Sequence, residues 1–423
     1  MTKVYTYSVP LEIDMVDAFC ALQKGFTDQF VYYDKTRACR FMGLGRCIAV
    51  PSLSEVEYEV AGVCLLPPSF FSFNRFDANN PQPTDDMFAA FPRLALMLPE
   101  VVLIENEQGV FLQVNSLGPV YAGRVERFLR QVSCAPHRVR VSVPFVLEPD
   151  SRQEWERVVG QALTAIEEGR VKKIVPSRRQ FLRAVHPFSS KDLLINLIDG
   201  PARGTVLMYR YGDVFFCGCT PELLVRKAGN QVESMCLAGT CSAGTNEDER
   251  RLNAEKLLCD KKNLREHAHV VDFVREVFSR VCYDVDIPSA PRILSLQHIQ
   301  HLYTSACARV LEGVTLDDLR TQLHPTPALC GAPVGESLML LRRIETYNRG
   351  FFGGACGYVD GDGNGEYSVA IRSGVFDGET GWVYAGCGIV AGSVAQAEYD
   401  EIDMKLKTIL TAFDGEEVGD VSR

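Results

Sequence analysis

The chain has 423 residues, 46% of them hydrophobic and 23% charged, values that allow a core of two or three domains' size and rule out disorder or coiled coil as its main state. Its 44 Lys and Arg against 54 Asp and Glu give a formal charge of −10, which argues against nucleic-acid binding by bulk electrostatics. A locally positive pocket for a small anion remains compatible with that charge.

No stretch is apolar over the length of a membrane span. The start, Met1-Thr2-Lys3-Val4, leads into Tyr/Thr/Val alternation and lacks the basic and apolar regions of a signal peptide. The expected location is the cytoplasm, with no membrane partner. The 15 cysteines run from Cys20 to Cys387 without a CxxC pair, Cys217/Cys219 and Cys236/Cys241 being the closest. They are expected to be free thiols used as small hydrophobes, not disulfides or a zinc site.

Residues 1–145 read as strand-rich. Phe30-Val31-Tyr32-Tyr33, Val60 to Leu65 and Val101 to Ile104 are β-favouring runs, and Asn79-Asn80-Pro81-Gln82-Pro83 reads as a loop. Arg138 to Val143 alternates polar and apolar, as a half-buried strand does. Near Pro149 the character changes. A helix opens around Asp150 to Glu154, buries Trp155, Val158, Val159, Ala162, Leu163 and Ile166 on one face, and ends at Gly169. A strand over Val171 to Val175 follows, and helix–strand alternation continues. Val214 to Gly218, Tyr367 to Arg372 and Trp382 to Gly386 read as strands. One helix opens at Thr245, with Asp248 as a variant capping box, and runs past Glu266 toward Val277. Another covers about Ala397 to Leu410, and the tail from Asp414 to Arg423 is expected to fray.

Several residues along this path are suited to chemistry. The glycine-rich runs Gly353 to Gly357 and Ala385 to Ser393 match neither a P-loop nor a dinucleotide fingerprint, but their amides are able to cup a carboxylate. Close turn packing explains them equally well. Glu398 and Glu401 share a helix face, with Lys405 four residues after Glu401; a solvated ion-paired face is the plain alternative. Together with Glu266 they form an oxygen donor set suited to Mg²⁺. Histidines 267, 269, 298 and 301 lack zinc spacing. Glu222, after Thr220-Pro221 at a strand end, is placed either as a desolvated general acid or as a solvated loop carboxylate. Lys173, inside a strand, is either paired and used or snorkels at an edge.

Taken in order, the motifs resemble the chorismate-utilising enzymes: isochorismate synthases, salicylate synthases, and component I of anthranilate and aminodeoxychorismate synthases. The residues carrying the resemblance are Lys173-Ile174-Val175-Pro176-Ser177-Arg178, Thr220-Pro221-Glu222, Leu237-Ala238-Gly239-Thr240, Glu266-His267 and Leu323-His324-Pro325-Thr326-Pro327-Ala328. Arg349-Gly350-Phe351-Phe352-Gly353-Gly354, Ala370-Ile371-Arg372, and Ala385 to Val390 followed by Glu398, Glu401 and Lys405 complete the set. The likeness covers about residues 150–413. It implies an α+β fold, a large two-sheet sandwich flanked by helices. Residues 1–145 would be a variable strand-rich part of that fold, 146–413 the chorismate-binding catalytic region, and 414–423 a flexible tail.

The resemblance also implies roles. Glu266 and Glu401 match the glutamates that hold Mg²⁺, and Glu398 a position that supports the metal through water. Arg372 matches the arginine on the pyruvyl carboxylate, a task suited to a guanidinium fork. Gly386, Gly388 and Lys405 match residues around the other carboxylate, and Thr240 and His324 are assigned to substrate binding. Lys173 matches the base that activates water, and Glu222 the acid that protonates the leaving C4 hydroxyl. As a base, Lys173 must fall from its solution pKa of about 10.4. Lys172 and Lys173 point to opposite strand faces, and the Lys-Ile-Val register favours Lys173.

Lysine at 173, where anthranilate synthases commonly have glutamine, favours a water-using enzyme. Ala238 replaces the lysine of many aminodeoxychorismate synthases, and Val270 to Arg275 lacks the Leu-x-Arg-Asn-Asp run of the amination enzymes. The expected product is isochorismate, for menaquinone, siderophore or salicylate synthesis, with no glutaminase subunit. Salicylate synthase is the alternative, followed by an amination enzyme and an inactive homologue. One departure stands out. Cys241-Ser242-Ala243-Gly244 replaces a basic stretch usual after Ala-Gly-Thr, and weaker turnover or altered specificity follows if those charges shape the field at the site.

Overall fold

The computed structural model describes residues 1–81, 86–93 and 95–413; the expected tail at 414–423 and part of the loop after Asn79 lie outside the described residues. Among the described residues, twelve strands build one sheet and ten a second. The sheets face each other across an aromatic core. Phe30, Tyr209 and Phe216 of the larger sheet meet Phe71 of the smaller sheet and Phe351, with Phe30 and Phe71 stacked at 5.5 Å and Phe216 edge-on to Phe351 at 5.6 Å. Helices cover the outer faces, so the architecture is the expected α+β sandwich.

Residues before 145 feed both sheets. Thr2–Leu11 pairs with Gly109–Ser116 and Val56–Gly62 at an edge of the larger sheet, whereas Ser69–Phe73 and Leu96–Leu98 belong to the smaller one. The helix Arg152–Glu167 is capped by Ser151, whose hydroxyl accepts from the Glu154 amide, and it ends before Gly169 at φ +72°. The helix Ala395–Leu410 buries Tyr399, Ile402, Leu406 and Ile409 as its periodicity predicts. No helix among the described residues is long and apolar enough to cross a membrane. All fifteen cysteines are free.

Five local expectations change. The run Val60 to Leu65 is not a strand throughout. Pairing ends at Gly62, where φ is +106° and Ser8 carbonyl packs against the α-carbon, and Val63 and Leu65 are left exposed. Arg138 to Val143 is extended but unpaired in a sheet. Its polar needs are met by side chains instead: Asn196 bonds both the amide and the carbonyl of Val141, and Arg138 is held by Asp14, Asp17 and Asp199. The strand at Lys173 is only Lys173–Ile174.

The long helix from Thr245 is two helices, Glu247–Cys259 and Lys261–Val281. Asn246 caps the first and Asp260 the second, accepting from the Asn263 amide. Thr245 bonds Glu249, so the start sits one residue later than the pattern suggested. Finally, the strand at Tyr367 stops at Val369. Arg372 has φ +52°, a left-handed conformation unusual outside glycine, and the chain resumes as Ser373–Asp377 in the other sheet.

Candidate active site

Two neighbouring crossovers between the sheets set the site. The chain leaves the larger sheet at Thr220 and joins the smaller one at Leu223, placing Pro221 and Glu222 in the gap. It returns between Val369 and Ser373, placing Arg372 in the same gap. The crossovers are tied together, since the Val369 amide donates to Glu222 carbonyl at 3.0 Å and the Cys219 amide to Arg372 carbonyl at 3.3 Å. A tight, non-repetitive connection of this kind explains the positive φ at Arg372.

The third wall is a pinned loop. Ile174 and Ile389 exchange backbone bonds at 3.1 and 2.7 Å, so the glycine loop after Gly386 lies against the Lys173 strand. Glycine at 388 leaves room for two side-chain ends. A β-carbon there would run into the Glu266 carboxylate and sit 2.9 Å from Lys173 Cε. The fourth wall comes from the strand Gln231–Ser242. Its pairing with Ile299–Val310 slips between Ala238 and Thr240, and Gly239 takes φ +80° as the extra residue of a bulge. That bulge re-aims Thr240 into the cavity.

Most of the sequence-predicted residues meet here. Glu222, Thr240, Glu266, Arg372, Gly386, Gly388 and Lys405 line one cavity. Lys173 is fully buried beside it, with Nζ 3.1 Å from Glu266 Oε1 in a direction that does not make a hydrogen bond. Glu401 adjoins through Lys405, whose Nζ reaches Glu401 Oε1 at 2.7 Å and Gly386 carbonyl at 2.8 Å. Glu398, on the same helix, is buried and bonds Lys262 at 2.7 Å. His324 stands apart. Its Nε2 lies 3.1 Å from Phe76 carbonyl and its ring packs edge-on to Phe76, outside the cavity lining.

The electrostatics suit acid–base chemistry on an anion. Burial pushes the Glu222 carboxyl up to about 7, with Arg372, Lys173 and Lys405 pulling it partly back. Burial lowers Arg372 to about 10, and holds His301 well below the usual histidine range. Glu401 is raised, first by burial and then by the charges of Glu266 and Glu398, against which Lys405 works.

His301, which lacks zinc spacing, also lines the cavity, a placement that spacing alone does not reveal. Its Nε2 lies 2.8 Å from Arg372 Nη2 and its Nδ1 3.0 Å from Thr240 Oγ1. Arginine has no acceptor, so Nε2 accepts and Nδ1 carries the proton. The Thr240 hydroxyl proton is then free to point at a ligand. Arg349 is also structural support for the site. It is buried against Glu345 and donates to Val175 carbonyl at 2.6 Å and Leu329 carbonyl at 3.0 Å, and Glu345 in turn accepts from the Ser177 amide at 2.7 Å. The pair fixes the segment that follows Lys173.

Among the described residues no three His, Cys, Asp or Glu side chains form a ready metal cage. The carboxylates of Glu266, Glu398 and Glu401 are instead each closed on a lysine. In donor type they fit a hard, oxygen-seeking divalent cation, and their mutual repulsion at Glu401 is what such a cation relieves.

A family model for chorismate binding enzymes matches residues 2–414. The isochorismate synthase MenF of Bacillus subtilis is 36% identical over 266 residues, 63% of this chain and 56% of that protein. The match thus spans little more than half of that relative's length. The salicylate biosynthesis isochorismate synthase of Pseudomonas aeruginosa is 31% identical over 351 residues, 80% of this chain and 72% of that protein. Among solved structures, the menaquinone-specific isochorismate synthase MenF of Escherichia coli superimposes with a TM-score of 0.79 at 20% identity, covering 97% of this chain and 94% of that one. Anthranilate synthase component I of Streptococcus pneumoniae gives 0.70 at 21% identity, covering 90% and 89%. At those identities the two structures speak to the fold.

Proposed function

The chain belongs to the chorismate-binding enzyme family, in its isochorismate synthase branch, and from that premise we propose that it converts chorismate to isochorismate with Mg²⁺. Residues 146–413 form the chorismate-binding region in this reading, and 1–145 a variable part of the same fold. The observation that carries the reading is the buried pair Lys173 and Glu222 at one cavity, with Arg372 and Lys405 in its walls. A dianionic ring substrate suits that cavity, because Arg349, Arg372 and Lys405 line it against Glu222 and Glu266 while the chain as a whole is acidic.

Arg372 takes the pyruvyl carboxylate, held in place by His301 behind it. Gly386 and Gly388 amides and the Thr240 hydroxyl orient the ring. Glu266, Glu401 and Glu398 would hold Mg²⁺, which would supply positive charge to the ring carboxylate. Lys173 takes a proton from water as the water oxygen bonds to C2. The double bonds shift, the C4–O bond breaks, and Glu222 gives its proton to the departing hydroxyl, which leaves as water. One water enters and one leaves, so substrate and product are isomers. Glu222 is suited to this because a carboxyl poised near 7 is substantially protonated at neutral pH.

The test is product chromatography of purified protein with chorismate and Mg²⁺, with and without ammonium, and with EDTA. Isochorismate that forms without ammonium and stops with EDTA supports the reading. Salicylate with pyruvate moves the protein to the elimination branch, and an aminated product that needs ammonium overturns Lys173 as the water-activating base.

A further inference from the structure

The three acidic residues of the cluster are matched by three lysines, one each. Glu266 faces Lys173 at 3.1 Å, Glu398 faces Lys262 at 2.7 Å and Glu401 faces Lys405 at 2.7 Å. Lys173 adds no charge when it serves as the proposed base, and the ammonium groups of Lys262 and Lys405 already offset two of the three carboxylates. Adding a divalent cation without moving anything would leave excess positive charge in a largely buried site, which is costly. One of the lysines has to give way.

Two of them are committed elsewhere. Lys173 is fully buried and is the base of the proposed reaction. Lys405 also bonds Gly386 carbonyl at 2.8 Å, so it ties the helix Ala395–Leu410 to the glycine loop. Lys262 differs from both. Its side chain is 36% exposed, against 0% for Lys173 and 18% for Lys405, so its stem has a path outward into water. It lies in the first turn of the helix Lys261–Val281, four residues before Glu266, and the two side chains leave the same helix face. The carboxylate it holds, Glu398, is only 2% exposed and would be a bare buried charge without a cation.

We infer that Lys262 is the displaceable counter-ion of the acidic cluster. It neutralises Glu398 in the cation-free protein and swings outward when a divalent ion arrives, so its charge sets how tightly that ion binds. The inference rests on the proposed role of the three carboxylates in holding Mg²⁺.

The experiment is a titration of the full chain with Mn²⁺ alone, followed by the spin-resonance signal of the free ion, and with Mg²⁺ alone by calorimetry. Substrate is left out, so the readout is binding and not turnover. Wild type is compared with Lys262→Met, Lys262→Gln and Lys262→Arg. Removing the ammonium removes both the competitor and the repulsion, so Met and Gln variants bind about tenfold tighter or more. Gln retains a hydrogen bond to Glu398, which guards against a collapsed pocket in the Met variant. Arg keeps the charge and stays within about threefold of wild type. Equal or weaker binding by both neutral variants overturns the inference while leaving the metal site standing. Failure of all four proteins to bind either ion overturns the metal reading itself, and the inference with it.

Discussion

Glu222 makes a prediction that links stability to catalysis. Its side chain is 4% exposed, and its carboxyl is raised from 4.5 to about 7, burial being the largest cause. Between those two values the folded chain keeps a proton that the unfolded chain has released. Stability contributed by this group therefore falls as pH rises through that window, and the loss is complete above the folded value. At about 1.4 kcal/mol per unit, the destabilisation is on the order of 3 kcal/mol at pH 8 and about 1 kcal/mol at pH 5. Glu222→Gln keeps the shape and removes the charge. The variant is expected to gain about 2 kcal/mol more over wild type at pH 8 than at pH 5. Its turnover falls by about 10²- to 10⁴-fold, because an amide donates no proton to the leaving hydroxyl. Thermal and urea midpoints of both proteins at the two pH values measure the first effect, and product chromatography the second. A variant no more stable than wild type at pH 8, or one whose advantage does not shrink toward pH 5, refutes a buried carboxyl held near neutrality.

Three further outcomes follow from the same geometry. Lys173→Met abolishes water addition, a loss of about 10²-fold or more in kcat, while chorismate still binds in the presence of Mg²⁺; calorimetry with the substrate checks the second half, and equal loss of binding would make Lys173 a holding group. Gly388→Ala pushes the Glu266 carboxylate and Lys173 Cε aside, and is expected to lose most activity while stability changes by less than about 1 kcal/mol, read from the initial rate and thermal midpoint. His301→Leu leaves Arg372 without its acceptor and Thr240 without its donor, so KM for chorismate rises about tenfold while the far-ultraviolet spectrum is unchanged; an unaltered KM would remove His301 from the site.

The candidate site is legible in the sequence through the ordered family motifs, since the short-range patterns alone leave turn packing, a loop carboxylate and an ion-paired face open. The structure brings Glu222, Gly386, Gly388 and Lys405 to one cavity, with Glu401 beside it. What was not legible is long-range. His301 and Thr240 are 61 residues apart and meet only because a bulge at Gly239 shifts the register of two long strands. Lys262 and Glu398 are 136 residues apart, on different helices. The strand expected to continue through Arg372 fails for a similar reason. Its apolar alternation is real, but the chain changes sheets there, and hydrophobic period does not report which sheet a residue joins. The helix from Thr245 was read as one because Asp260 looks like any surface acid until its carboxylate is seen capping Asn263.

The missing basic stretch after Thr240 takes on a different meaning once the strand is placed. Of residues 240–244 only Thr240 lines the cavity. Cys241 turns its sulfur toward Asn253 carbonyl at 3.6 Å and Gln300 Oε1 at 3.7 Å, on the side where the helix Glu247–Cys259 packs. Ser242 is exposed, and its carbonyl is held by Asn253 at 3.1 Å. The two lost charges belong to positions 241 and 243, and Ala243 is fully buried, its amide donating to His298 carbonyl at 2.9 Å. Neither residue lines the cavity, and a charged side chain at a buried position such as 243 would itself need a partner. The cations that meet a bound substrate, Arg372 and Lys405, are anchored independently, one by His301 and the other by Glu401 and Gly386. The departure therefore lies outside the cavity lining, and the residues proposed to react, Lys173 and Glu222, keep their surroundings.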